Sequence, residues 1–259
     1  MFRYNHISAI ARNTFREAVR DRVLYNLVVF VLLITACAVF LGELTAGQEA
    51  RTIVNIGLGA MLLFGVFIAI FVGVGLVSKE IEKKTLYAVF SKPIGRGEFI
   101  IGKYLGLCLT LLVNVVVMGL GVSTALIFVG GDSLAITIWG AILLIFFELM
   151  IITAVAVLFS SFSSPALSSL LTFMVFVIGH FSSSLKDFAA NLGSDAAIVV
   201  FTALYYVIPN LSFFSFATPS AHGHIPGAAT LVGTVVYGIV YILVLLFATM
   251  LIFGRRNLK

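Results

Sequence analysis

The stretch GRGEFIIGKY, Gly95 to Tyr104, contains G-x-x-x-x-G-K, seven of the eight places of a phosphate-cradling loop. Such a loop needs a strand before its glycines, helix amides behind them to hold phosphate, and a hydroxyl after the lysine to hold magnesium. Tyr104 stands where that hydroxyl belongs, and SKEIEKKTLYAVF upstream has the composition of a helix rather than a strand. The phosphate reading therefore fails at two of its three requirements. Gly102 and Gly106 fit better as a small-xxx-small face for close helix packing.

Other residues able to do chemistry are sparse. Glu148 interrupts an otherwise uncharged run of 26 residues, Leu134 to Phe159. A carboxylate there is costly in lipid and should face the protein interior or a cavity. It could touch a transported substrate, carry a proton, or make a structural hydrogen bond between helices; the sequence identifies no relay partner for it. His222 and His224 flank Gly223, and His180 ends an apolar run. Three imidazoles suit copper or zinc, but no cysteine or carboxylate lies at ligand spacing, so they are read as ordinary histidines and no metal site is assigned. The serine clusters SSFSSP and SSS lack a base at motif spacing, so the chain is not read as an enzyme by itself. Cys37 and Cys108 both fall in apolar runs, where they pack as small hydrophobes.

The elements that must position these residues are set by composition. Of 259 residues, 61% are hydrophobic and 10% charged, with a mean hydropathy of +1.16. That excludes an ordinary soluble domain. A membrane-crossing helix needs about 20 apolar residues, and six runs qualify or nearly so: Leu24–Leu41, Ile56–Val77, Tyr104–Gly131 with Phe99–Ile101 leading in, Leu134–Phe159, Pro165–Phe181 and Gly227–Gly254. The fifth suffices only if its ends lie near the interface. Lipid satisfies no backbone hydrogen bonds, so all six are expected to be helices. The first reads as a retained anchor, with no cleaved signal peptide evident.

Fourteen of the sixteen lysines and arginines fall before the first run, between the second and third with Lys103 just beyond, or after the sixth. Positive charge stays cytoplasmic, so both termini are expected there, and the basic balance reports topology without calling for nucleic acid. Residues 1–23 place Ile7, Ile10, Ala11, Thr14, Phe15 and Ala18 on one helical stripe and Arg12, Arg16 and Arg20 on another. Such a helix suits the cytoplasmic interface or a packed partner. In the loop 78–98, Ser78 is a plausible N-cap, Glu80 sits four before Lys84, and Pro93 ends a helix of about three turns. The outer segment 182–226 contains AAIVVFTALYYVI, Ala196 to Ile208. Thirteen apolar residues are too few to cross and too apolar for a free loop. This segment should dip into the outer interface or re-enter, with Tyr205 and Tyr206 at headgroup level and Pro209 ending it.

SKEIEKKTLYAVFSKPIGRGEFIIGKYLG resembles the signature loop of ABC-2-type permeases, the membrane subunits of ABC exporters. Glu80, Glu82, Thr85, Ser91, Pro93, Arg96, Glu98, Gly102 and Lys103 match its pattern, while Lys84 stands where many members carry glycine. FREAVRDRVLYN, Phe15 to Asn26, and LYYVIPNLSFFSF, Leu204 to Phe216 with its P-N-x-x-x-F pattern, are similar to the segments before the first and last spans of the same group. The branch labelled as involved in multi-copper enzyme maturation is the nearest in likeness; that label describes a lineage and says little about substrate.

The resemblance implies one all-α membrane domain over residues 1–259. It would have six transmembrane helices, an N-terminal amphipathic interfacial helix, a cytoplasmic coupling helix between spans two and three, and an outer re-entrant or interfacial helix between spans five and six. It further implies a homodimer in a prokaryotic cytoplasmic membrane. This chain would hold no cofactor, with ATP and magnesium on a separate ABC ATPase subunit. Glu80, Glu82, Lys83, Lys84 and Thr85 would make the ATPase contact, and Tyr205, Tyr206, Pro209 and Asn210 an outer gate. Two alternatives stay open: an ion-coupled secondary transporter or channel using Glu148, and a membrane anchor for an assembly complex.

Overall fold

The computed structural model describes residues 2–18, 29, 30, 33, 34, 36, 40, 47–82, 95–182 and 195–255. Among these residues there is no strand. The helices are α1 (Phe2–Ala18), α2 (Glu49–Glu82), α3 (Arg96–Phe128), α4 (Asp132–Ser160), α5 (Pro165–His180), α6 (Asp195–Val207), the 3₁₀ turn η1 (Leu211–Phe214), the short α7 (Ala217–Ala221) and α8 (Ala228–Arg255). Four of them, α2, α3, α4 and α8, are long and apolar enough to cross a membrane, and α5 is a shorter apolar helix of 16 residues. They coincide with five of the six apolar runs. Of the first run only residues 29, 30, 33, 34, 36 and 40 are described, all helical.

α4 is the central post. It is apolar all round, as a helix surrounded by others should be, and it packs against α2, α3, α5, α7, η1 and α8. Leu144, Leu149, Ile151, Ile152, Ala154 and Val157 on it are fully buried. Small residues set the distances to its neighbours. A Cβ at Gly65 of α2 would fall 2.5 Å from Leu149 Cδ1, and one at Gly73 would fall 3.1 Å from Ala156 Cβ. In lipid, where no hydrophobic gradient drives helices together, such close approach supplies the dispersion contact that holds them. Three threonine hydroxyls inside the bundle return to their own helix: Thr110 donates to Gly106 O at 3.0 Å, Thr153 to Leu149 O at 2.8 Å and Thr172 to Ser168 O at 2.7 Å, whereas Tyr104 and Ser123 of α3 donate across to Met150 O and Ala135 O of α4.

The α3–α4 turn closes through Gly130, whose φ of +80° suits glycine, and Gly131 N–H donates to Leu126 O at 2.8 Å. Pro165 opens α5 in its first turn, where proline's missing N–H is no loss. One expectation is corrected. Ser78 does not start a new helix, because α2 runs unbroken through it to Glu82. Nothing between Val77 and Glu82 breaks a helix, and Lys79, Glu80 and Glu82 have good helix propensity, so the span simply continues. The remainder of the predicted coupling helix lies outside the described residues.

Candidate functional site

Two constellations gather the residues singled out by sequence. The first is the start of α3, where the loop between α2 and α3 rejoins the bundle. Gly95, extended at φ −69° and ψ 143°, is the N-cap, and its N–H donates to Glu98 Oε2 at 3.4 Å. GxxxxGK is therefore the first two turns of a helix, as the failed phosphate reading requires. Arg96 reaches across the bundle: Nη1 donates to Gly254 O at 2.8 Å and Phe253 O at 3.4 Å, the unsatisfied carbonyls at the end of α8. A guanidinium there both satisfies the acceptors and meets the negative end of the helix dipole. Phe99 stacks on Phe253 with centroids 6.3 Å apart, and Gly97 seats Met250.

The same end of α3 receives α1. His6 Nδ1 stands 3.6 Å from Glu98 Oε2, and Glu17 Oε2 stands 3.5 Å from Nζ of the buried Lys103, which also lies 5.8 Å over the Phe99 ring. Gly102 and Gly106 are the seat, as the small-xxx-small spacing requires: a Cβ at Gly102 would meet Ile10 at 2.8 Å, and one at Gly106 would meet the Ala11 carbonyl and Thr14 at 2.6 Å. Thr14 and Ala18 are buried on this face, while Ser8, Arg12, Asn13 and Arg16 are exposed on the other. Arg96, Glu98 and Lys103, which sequence reading had only matched to a pattern, thus join Gly102 in tying α1, α3 and α8 into one joint. Of the expected ATPase contacts, Glu80 and Glu82 have their backbone in the last turn of α2, directly before the loop, and Lys83, Lys84 and Thr85 lie outside the described residues.

The second constellation surrounds Glu148. It is fully buried in α4, residue 17 of 29, and neither carboxylate oxygen has a hydrogen-bond partner. The partner that the sequence left unidentified is His180, the last residue of α5, whose Nδ1 lies 3.5 Å from Glu148 Oε1. Phe176, one turn earlier, holds the imidazole with ring centroids 4.8 Å apart. His180 also borders a groove of about 370 Å³ between α2 and α5. His222 and His224 do not join it; both are exposed beyond α7. Among the described residues no three His, Cys, Asp or Glu side chains cluster.

The segment after α6 reaches this level. Sixteen helical rises, roughly 24 Å, separate Glu148 from the Asp132 end of α4. At the neighbouring Gly179 a Cβ would meet Pro209 O at 2.7 Å and Leu211 at 2.8 Å. Phe214 is fully buried, with its ring 3.3 Å from the Cβ position of Gly238 on α8, where Ile151 of α4 also approaches. Non-helical backbone this deep must be satisfied by protein. Asn210 accepts from Ser212 N–H at 3.1 Å, its own N–H donates to Tyr237 Oη at 2.9 Å, and Tyr241 Oη donates to Val207 O. Pro209, Asn210 and Phe214 of P-N-x-x-x-F are thus an anchor. Tyr205 and Tyr206 lie at the end of α6 with ring centroids 5.4 Å apart, Tyr206 exposed. Tyr237 and Tyr241 were missed in the sequence because a tyrosine in an apolar run carries no mark of its partner.

No curated protein matches the sequence significantly. A family model described as ABC-2 family transporter protein matches residues 8–258, nearly the whole chain. Together with the apolar helices and the joint built by the signature loop's residues, this match identifies the chain as a member of the ABC-2 transporter family, the membrane components of ABC transporters.

Proposed function

We propose that this chain is the permease subunit of an ATP-driven exporter. Two copies would form the path across a prokaryotic cytoplasmic membrane, each coupled to a separate ABC ATPase through the loop between α2 and α3. The observation that carries the reading is the joint at the start of α3. Arg96 holds the end of α8, Glu98 and Lys103 hold α1, and the loop enters the bundle at this point. A push on that loop reaches three helices through charge-assisted bonds rather than through one flexible connection.

The contacts of His6 with Glu98 and of Arg96 with Gly254 bring α1, the loop's return and the end of α8 to one end of the bundle. That grouping supports the cytoplasmic placement read from positive charge. Glu80, Glu82, Lys83, Lys84 and Thr85 make the ATPase contact in this account, and the first run and α5 complete six spans. The segment from α6 through η1 re-enters from outside and caps the path. α8 is the least enclosed of the long helices, with about a fifth of its most apolar window buried in the protein, which leaves the rest for lipid and the second copy.

The ion-coupled alternative has one observation in its favour, the Glu148–His180 pair. Co-expression with a candidate ABC ATPase subunit and affinity purification through a tag on this chain separates the two. The exporter reading expects a stable complex with equal numbers of ATPase and permease subunits. Recovery of this chain alone, with ion flux in ATP-free liposomes, would overturn it.

A further inference from the structure

We infer that the groove between α2 and α5 is a binding site for amphipathic amines, with the Glu148–His180 pair holding the basic head. The groove is lined by Gly59, Leu62 and Leu63 of α2 and by Phe176, Val177 and His180 of α5, and measures about 370 Å³. Among the described residues its walls are apolar apart from the imidazole. Leu63 and Val177 are exposed on its rim, so it opens sideways, where a lipid-dissolved molecule would approach. A pocket of this kind, mostly apolar with one polar anchor, holds a ligand by its body and orients it by its head.

The anchor selects the sign of the head. Glu148 is fully buried, both oxygens lack hydrogen bonds, and among the described residues no lysine or arginine forms an ion pair with it. Among the described residues the ion pair at that carboxylate is the one with His180, from α5. A buried carboxylate attracts a compensating cation and hydrogen bonds. His180 sets Nδ1 3.5 Å from Glu148 and also borders the groove, so a donor arriving along the groove meets the imidazole of the pair. An ammonium on an apolar chain meets both demands, whereas an alcohol brings no charge and a carboxylate brings the wrong one. Gly59 has nothing within 4 Å of its Cβ position, so a larger residue there would occupy the groove without displacing the bundle.

The site stands independently of ATP coupling, so it is tested by equilibrium binding to the full chain in nanodiscs without any ATPase. Dodecylamine, dodecanol and dodecanoate are compared by competition against a fluorescent dodecylamine derivative, with empty nanodiscs subtracted. The amine should bind at least tenfold more tightly than the alcohol, and Glu148→Gln should erase that preference. Gly59→Leu should weaken the amine by a similar factor while leaving Glu148 in place, which keeps the test decisive if Glu148→Gln fails to fold. Equal binding of amine and alcohol would make this an acyl-chain groove and overturn the inference. So would a preference for dodecanoate, or full amine binding to Gly59→Leu.

Discussion

His180 Nδ1 lies 3.5 Å from Glu148 Oε1, joining the last residue of α5 to the middle of α4. The pair ties the last turn of α5 to α4, and the next residue back, Gly179, admits the Pro209 carbonyl from the segment after α6. A buried polar group that loses its one neighbouring polar partner costs about 1–3 kcal/mol. His180→Ala should therefore lower the thermal midpoint of the purified chain markedly. Adding Glu148→Gln should recover part of the loss, with a coupling of about 1–3 kcal/mol in the double-mutant cycle. Additive losses would show that the two groups do not interact.

Arg96 ties the start of α3 to the end of α8 through Gly254 O and Phe253 O. Hydrogen bonds from a charged donor contribute about 1.5–3 kcal/mol. Arg96→Ala should lose stability in that range, and Arg96→Lys should recover only part, since the shorter lysine keeps the charge but not the planar guanidinium that places Nη1 on both carbonyls. Thermal unfolding in nanodiscs measures both; a wild-type midpoint for Arg96→Ala would remove the joint from the account.

At the seat of α1 the two glycines differ. A Cβ at Gly106 meets the Ala11 carbonyl and Thr14 Cβ at 2.6 Å, while one at Gly102 meets Ile10 Cβ at 2.8 Å and backbone, the Ile7 carbonyl, only at 3.2 Å. Gly106→Ala should therefore loosen α1 more than Gly102→Ala. Limited trypsin digestion at Arg12 and Arg16 reports it: cleavage should be fastest in Gly106→Ala, and equal rates in both variants would contradict the packing.

Tyr237→Phe removes the acceptor for Asn210 N–H without changing shape. An orphaned buried amide costs about 1–3 kcal/mol. The loss should exceed that of Tyr205→Phe, and thiol labelling of a cysteine at Ser212 should speed up as the anchor loosens. Unchanged labelling in Tyr237→Phe would show that this bond does not hold the segment.

Much of the fold was legible because lipid leaves the backbone few choices. Uncharged runs marked α2, α3, α4, α5 and α8, the heptad-like stripe of Ile7, Ile10 and Thr14 marked the buried face of α1, and Gly102 with Gly106 marked its seat. What pattern could not reveal was which helices meet, and at what height. Glu148 was readable as inward-facing, but its partner lies 32 residues later on another helix. Arg96 was readable as a motif residue, but the carbonyls it caps follow more than 150 residues on. Periodicity reports a residue's face on its own helix; the register between helices is set by packing of side chains distant in sequence. Ser78 was misread because a serine before acidic and basic residues has the same local pattern inside a long helix as at the start of a short one.

The central claim is that ATP hydrolysis is coupled through the loop that enters at Arg96. Its most direct test is the ATPase rate of the copurified partner in nanodiscs, with this chain intact or carrying Glu80→Ala and Glu82→Ala. The account predicts that the intact chain sets a hydrolysis rate which the paired substitution lowers at least fivefold, with the fold unchanged by thermal unfolding. An undiminished rate in the substituted complex would contradict it.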